Sequence, residues 1–306
     1  MRVGLRNIDG FGAELCFEAA KVVTRKKKVH NMPGRTDKGI EISSFDYEVR
    51  HKLRFEFGKN WKRFLSGLTE EKIEAAEKSL CSLLKVQTLS GLRILDAGSG
   101  SGLFSLAARR LGAEVVSVDY DSESVDCTRQ LKSLYQEGDE SWQIFEGSVL
   151  DEPFLSGLGM FDIVYSWGVV HHTGEMFNAI ENLSRSVGPR GKLTLAIYNL
   201  QMVASPYWTF VKRSYVRFAL TRPFFVALHF LYPVLPSIAL RLVQKRTSER
   251  GMSVFTDLKD WLGGYPFEVA RPEEVLDFMR SQKFELISLK TVGGRSGCNE
   301  YIFEKS

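Results

Sequence analysis

The chain is poor in the residues that mark externally braced proteins. It has four cysteines in 306 residues, Cys16, Cys81, Cys127 and Cys298, widely scattered. No pair has zinc spacing and nothing reads as a disulfide framework, so the fold must come from a packed core. No carboxylate cluster carries the pattern of a required divalent ion, and no metal is expected. Charge of one sign is lacking too. The 41 Lys and Arg against 37 Asp and Glu leave +4, too little to argue for nucleic acid. The start, Met1 to Leu15, lacks the long apolar core of an export signal, and a reducing cytoplasm is the expected compartment. Long apolar runs are scarce. Pro223 to Leu240 carries no formal charge if His229 is neutral. Its prolines argue against a simple span, which needs about 20 apolar residues.

What is there is ordinary globular composition, 44% hydrophobic and 25% charged, enough for one large domain or one domain with an insertion. The chain is organised around Arg93-Ile94-Leu95-Asp96-Ala97-Gly98-Ser99-Gly100-Ser101-Gly102. Apolar residues lead into alternating glycines, and a helical pattern follows from Leu103 to Leu111. This reads as strand, tight turn and helix start, with glycines that let a ligand approach the backbone. A second strand, Glu114 to Val118, ends on Asp119. An acidic residue about 20 positions past a glycine loop suits a pair of ribose hydroxyls.

Asp96-x-Gly98-x-Gly100-x-Gly102 followed by Val118-Asp119 resembles motif I and its successor in class I S-adenosylmethionine (SAM)-dependent methyltransferases. A nicotinamide-dinucleotide loop would more usually read Gly-x-Gly-x-x-Gly. The resemblance covers roughly residues 90–200 well, the C-terminal strands moderately and the first 50 residues hardly at all. It implies an α/β fold, a doubly wound Rossmann-like seven-stranded sheet, with the last strand antiparallel between the fifth and sixth. It implies that Asp96, Ala97, Gly98, Ser99, Gly100 and Gly102 line the SAM site, with Asp119 on the ribose and Tyr120 on the adenine face. Near the third strand, Trp142 to Glu146, the family often has an acidic residue. This chain has Ser148, so the Val149 backbone is expected to read the ring, helped by Ser148 or Asp151.

The fourth strand, Phe161 to Ser166, should end at the cofactor, which brings in Ser166 and Trp167. It continues as Gly168-Val169-Val170-His171-His172, like a Gly-x-x-His-His sequence common in the family. Histidine titrates near neutrality, so His171 and His172 are the candidates for a general base on a hydroxyl acceptor. Either one can instead cap the next helix or bond backbone. Gly188 to Lys192 reads as a turn before a fifth strand, Leu193 to Tyr198. Ahead of the glycine loop, Phe55 to Phe64 is aromatic-rich and resembles a cofactor lid, with Asn60 on the polar end of SAM and Trp61 over its sulfonium. The alternative is an N-terminal helix merely packed on the domain. Thr69 to Val86 reads as an amphipathic helix with Thr69 as N-cap and Ile73, Ala76, Leu80 and Leu84 as its stripe.

Residues 199–270 break the alternation. Two basic-aromatic segments, Tyr207 to Arg217 and Phe224 to Arg246, look helical. They are expected to cap the active site, and residues 212–246 are expected to touch a membrane surface peripherally. Tyr198, Tyr265 and Glu268 are the expected acceptor contacts. The parts are then an extension with lid (1–68), a SAM-binding core (69–198), a substrate cap (199–270) and a C-terminal helix with two strands (271–306). The basic run Thr24 to Lys28, beside His30, reads as a solvated arm or an anion contact. The implied function is methyl transfer from SAM, giving S-adenosylhomocysteine, to a small lipophilic or glycan acceptor, with oxygen slightly favoured. An RNA methyltransferase and a non-enzymatic SAM-binding scaffold are the alternatives. Against RNA, the chain has no recognisable RNA-binding module and no Asn-Pro-Pro-Tyr-like motif after the fourth strand.

Overall fold

A computed structural model describes residues 35–37, 40–42, 44–51, 53–54, 58, 61, 65, 67–231, 254–293 and 297–306. Phe11 to Val23, whose sequence suits a helix or part of a hairpin, the basic run at 24–28, Asn60 and the end of the second insertion segment lie outside these residues.

Seven strands form one sheet: β1 (Arg93–Ala97), β2 (Glu114–Asp119), β3 (Trp142–Glu146), β4 (Phe161–Trp167), β5 (Val187–Tyr198), β6 (Phe284–Lys290) and β7 (Cys298–Lys305). Their order is β3-β2-β1-β4-β5-β7-β6. The first five are parallel, and β7 runs antiparallel between β5 and β6. Strands buried on both faces read as near-continuous apolar runs. Ile94-Leu95-Asp96-Ala97 and Val115-Val116-Ser117-Val118 are such runs, and all eight residues are buried. The direction of growth reverses between β1 and β4. That crevice, at the carboxyl ends of the strands, is where open α/β sheets bind ligands.

The helices are α1 (Ser44–Arg50), α2 (Glu70–Leu84), α3 (Leu103–Arg110), α4 (Ser122–Tyr135), α5 (Glu152–Gly157), α6 (Met176–Arg185), α7 (Ala204–Arg217), α8 (Arg222–His229), α9 (Val254–Gly263) and α10 (Pro272–Ser281). The α2 stripe Ile73, Ala76, Leu80 and Leu84 is wholly buried. It packs with Leu106 of α3 and Leu131 of α4 on one face of the sheet. Residues of α6 and α10 (Ile180, Leu183, Val275 and Met279) fill the other face. Thr69 holds the N-cap position in extended conformation; its side chain caps no backbone N–H of the helix and bonds the Glu71 carboxylate instead.

One expectation is corrected. Gly188 to Lys192 is not a turn but part of β5, which begins at Val187. Val187 pairs with Phe161, and the register shifts before Ile163 pairs with Lys192. A bulge uses the same glycines and left-handed residue that a turn would, here Arg190 at φ 58°.

The insertion has its own small core. Val211 and Tyr215 of α7, Phe225 of α8, and Leu258 and Leu262 of α9 form it. After α9 the chain rejoins the sheet, where Ala270 N–H donates to the Tyr198 carbonyl at the end of β5 (3.0 Å). The insertion therefore stands at the carboxyl edge of the sheet, beside the crevice. No described helix is long and apolar enough to cross a membrane.

Candidate active site

The glycine loop leaves β1 with Gly98 at φ 89° and Gly100 at φ 56°. The N–H groups of Gly98 and Ser99 both donate to the Val118 carbonyl, at 2.7 and 3.1 Å. The loop is thus tied to β2. Asp119, the last residue of β2, completes the tie. Its Oδ2 accepts from Gly100 N–H (2.8 Å) and its Oδ1 from Asp121 N–H (2.9 Å). Burial pushes this carboxyl up to about 7, against the bonds from Asp121 and Gly100 and with the help of the nearby Asp121 and Asp96 charges. Each oxygen of an ionised carboxylate has further acceptor capacity. A carboxylate oriented by backbone at the rim of a glycine cradle fits a ribose diol, so the residues present fit SAM.

Asp96 serves the loop from beneath. It is buried, and Ser105 Oγ donates to its Oδ2 (2.5 Å). Trp142 Nε1 donates to Ser117 Oγ (2.8 Å), which lies 2.7 Å from Ser105 Oγ. Trp142 can only donate, so the protons run one way along the chain, from Trp142 through Ser117 and Ser105 to Asp96. Burial raises the Asp96 carboxyl to about 6, and the Ser105 bond opposes this.

The N-terminal segment covers the loop. Gly58 N–H donates to Asp121 Oδ2 (2.7 Å), while Asp121 Oδ1 caps α4 through Glu123 N–H. The Trp61 indole lies on Gly100, where any Cβ would meet its ring carbon at 3.0 Å. Arg54 pairs with Glu48 (2.7 Å), donates to the His172 carbonyl (2.7 Å) and lies 5.3 Å from the Tyr120 ring centroid. Phe45 meets that ring edge-on at 5.5 Å.

Past β4 the chain turns into a short 3-10 helix, Val170–His172. His171 is fully buried, and among the described residues only the Ala196 backbone acts on its ring nitrogens, without a well-formed hydrogen bond. His172 Nδ1 lies 2.7 Å from the Pro266 carbonyl. A carbonyl only accepts, so Nδ1 carries the proton and Nε2 is the basic nitrogen. Burial holds both imidazoles below the usual range, His172 at about 3. His172 and Lys212 add to the fall at His171, while Lys212 and Arg54 add to it at His172. Ala196 backbone opposes it at His171 and the Pro266 bond at His172. The two rings are neutral at pH 7. Tyr198 lies 4.0 Å from His171 and 5.6 Å from His172, and also meets Phe267 (5.1 Å) and Trp261 (5.4 Å).

The structure brings together the glycine loop, Asp119, Tyr120, Trp61, the histidine pair and Tyr198. Several of the remaining expected residues have partners within the chain. Glu268, an expected acceptor contact, caps α6. Its carboxylate accepts from Gly174 N–H (2.8 Å) and Met176 N–H (3.1 Å), at the start of α6. Burial raises it to about 6 despite those bonds. Ser148 Oγ accepts from Leu150 N–H (3.1 Å), and Asp151 caps α5 through Phe154 N–H (3.1 Å). Both help to hold the loop, and the Val149 carbonyl accepts from Asn182. Trp167 stacks on Tyr165 at 5.6 Å, within the core cluster on the α2 face. Ser166 is fully buried, with no partner for its hydroxyl among the described residues. Tyr265 is half-buried in the loop that offers the Pro266 carbonyl.

Arg54, Asp121, Val169 and Lys212 escaped the sequence reading. Lys212 alone had a signal: with Trp208, Val211 and Tyr215 it falls on the apolar stripe of α7.

A methyltransferase-domain family profile matches residues 95–195. The chain is 31% identical over 125 residues to the mitochondrial ubiquinone biosynthesis O-methyltransferase of Rattus norvegicus, covering 39% of this chain and 36% of that one. It is 34% identical over 113 residues to the ubiquinone biosynthesis O-methyltransferase of Xanthomonas euvesicatoria pv. vesicatoria, covering 36% of this chain and 45% of that one. The chain thus spans half or less of these two relatives' lengths. Among solved structures it resembles magnesium protoporphyrin IX methyltransferase from Synechocystis with bound S-adenosylhomocysteine. The TM-score is 0.51 at 13% identity, over 85% of this chain and all of that one.

Proposed function

The chain contains a class I SAM-dependent methyltransferase domain, and from that premise we propose that it methylates a small, partly lipophilic acceptor, with oxygen the favoured atom. The observation that carries the reading is the bracket of Gly100 and Asp119 at the switch point, with the histidine loop directly beside it. SAM supplies an electrophilic methyl group on a sulfonium. The protein's work is then to bind, align and exclude water. Asp119 and the loop backbone hold the ribose and the polar end. Trp61 shields the loop from solvent, and Tyr198, Trp261 and Phe267 give the acceptor side an apolar wall. The relatives named for ubiquinone biosynthesis O-methylation support oxygen and a lipophilic acceptor. Calorimetry with purified protein should show binding of SAM and S-adenosylhomocysteine. A labelled-methyl screen on cell extracts should then give a labelled small molecule. Label found in RNA would transfer the assignment to the RNA reading, and SAM binding with no transfer to any extract would leave a scaffold.

A second part of the reading is peripheral contact with an anionic bilayer. The residues from Asn182 to Ser248 include no Asp or Glu. Within them, α7, α8 and their connection expose apolar side chains beside arginines. Phe210 is 66% and Leu220 96% exposed, and Arg213, Arg217 and Arg222 are exposed as well. Aromatic and aliphatic side chains among basic ones suit the headgroup boundary. The protein should float with phosphatidylglycerol vesicles and not with phosphatidylcholine vesicles. The pair Arg213→Glu and Arg217→Glu should abolish flotation while leaving SAM affinity unchanged. Failure of the unaltered protein to float with any vesicle would end this part of the reading.

A further inference from the structure

Lys212 is a lysine where a lysine is costly. It lies on the buried face of α7 and none of it reaches solvent. Its ammonium sits 4.1 Å from the Trp261 ring centroid, 4.9 Å from Phe267 and 5.9 Å from Tyr198. One bond goes to the Trp261 carbonyl, in the last turn of α9. An ammonium has further donors, and among the described residues the only acid acting on it is the Cys298 thiol. A buried charge without a counter-ion is strongly unfavourable, and aromatic faces offset only part of that. Capping α9 accounts for one donor and no more.

A second observation points the same way. His171 packs on the same Tyr198 ring at 4.0 Å, is fully buried, and among the described residues has only the Ala196 backbone acting on its ring nitrogens, which leaves hydrogen-bonding capacity unmet. Two polar groups with unmet capacity thus share one aromatic wall, at the end of β5 and beside the loop that follows β4. On the methyl-transfer reading above, both stand on the acceptor side of the crevice. The other titratable groups facing them are His172 on the same loop and Cys298 on β7, with Arg54 beyond His172. No carboxylate is among them.

We propose that Lys212 is the anion-binding element of the acceptor site, so that the acceptor enters as a deprotonated oxygen acid of the phenolate type, held between the ammonium and His171. This rests on the methyl-transfer reading above and names its substrate class. The acceptor's proton is released to solvent on binding, so neither histidine has to remove it. That division of labour agrees with two imidazoles held neutral and weakly basic. It also agrees with burial lowering Lys212 to about 7, since an anion beside the ammonium reverses that shift.

The probe is 4-nitrophenol, whose absorbance reports its ionisation, added to full-length protein loaded with S-adenosylhomocysteine. The bound phenol should ionise about 1–3 pH units below the free one, the range for an opposite charge at close approach. Lys212→Arg should keep most of the shift and Lys212→Met should lose it. A lysine that only caps α9 would not move the chromophore. In the unaltered protein at pH 8, neutral 4-nitroanisole should bind at least about tenfold more weakly, which tests the charge without any variant that must fold. An unshifted titration, an equal shift in Lys212→Met, equal binding of phenol and anisole, or no probe binding to the loaded protein would each overturn the anion site. Failure to bind S-adenosylhomocysteine would instead overturn the methyl-transfer reading beneath it.

Discussion

Asp119→Ala is expected to weaken SAM and S-adenosylhomocysteine binding by about ten- to a hundredfold. The carboxylate is held toward the cradle by Gly100 N–H and Asp121 N–H, and hydrogen bonds to a charged group contribute roughly 1.5–3 kcal/mol. The pH dependence gives the result a signature. Burial raises this carboxyl to about 7 in the free protein, and the ionised form is the one that accepts from a diol. Affinity should therefore rise with pH from 5 through about 7 and level off above that. Stability of the free protein should move the other way. A carboxyl whose folded value is raised binds a proton in the native state that the unfolded chain has released. Its contribution is fully present below the unfolded value and is lost as pH rises through about 7. Asp119→Asn should flatten the affinity profile and remove this residue's share of the stability profile, leaving those of Asp96, Glu268 and the two histidines. Calorimetric affinity and thermal melts across that pH range check the pair. Wild-type affinity in Asp119→Ala would remove this residue from the site, and a flat affinity profile in the unaltered protein would remove the titration argument.

The alternating strands and the α2 stripe could be read because each element obeys one local period and buries one predictable face. The glycine loop could be read because Gly98 and Gly100 need backbone conformations that few residues take. What escaped reading was settled by distant partners. Glu268 reads from the sequence as an acceptor contact, and its backbone partners Gly174 and Met176 lie more than 90 positions away. Ser148 reads as a ligand contact, and its hydroxyl also accepts from Leu150 N–H in its own turn. Gly188 to Gly191 has turn composition, and a bulge in a long strand asks for the same residues. Arg54 lies where no period runs, and only the fold brings it to the His172 carbonyl. Lys212 was visible as a lysine in an apolar stripe. A stripe lysine usually extends its charge to water, so burial could be learned only from the packing of α9 and the Phe267 loop over it.

The same logic makes Gly98 the most sensitive single position in the cradle. A Cβ there would lie 2.3 Å from Val169 Cγ2 and 2.6 Å from Cγ1, on a backbone at φ 89°. Overpacking a tight site costs about 1–3 kcal/mol, and forcing a side chain into sparsely populated backbone space costs about 1–3 kcal/mol more. Against a total stability of roughly 5–15 kcal/mol, Gly98→Ala should lower the melting temperature by about 5–15 °C. The clash also has a direction. Val169 immediately precedes the 3-10 helix that carries His171 and His172, so relief of the contact displaces the histidine loop as well as the glycine loop. Methyl transfer should then fall further than SAM affinity does. Val169→Ala removes the two atoms that a Cβ would strike first and leaves the backbone cost in place. The double variant should recover about 1–3 kcal/mol of the lost stability and much of the transfer rate. A double-mutant cycle on stability and on transfer measures this coupling. Strict additivity, within the 0.3–0.5 kcal/mol typical of independent sites, would show that the two loops do not communicate through this contact.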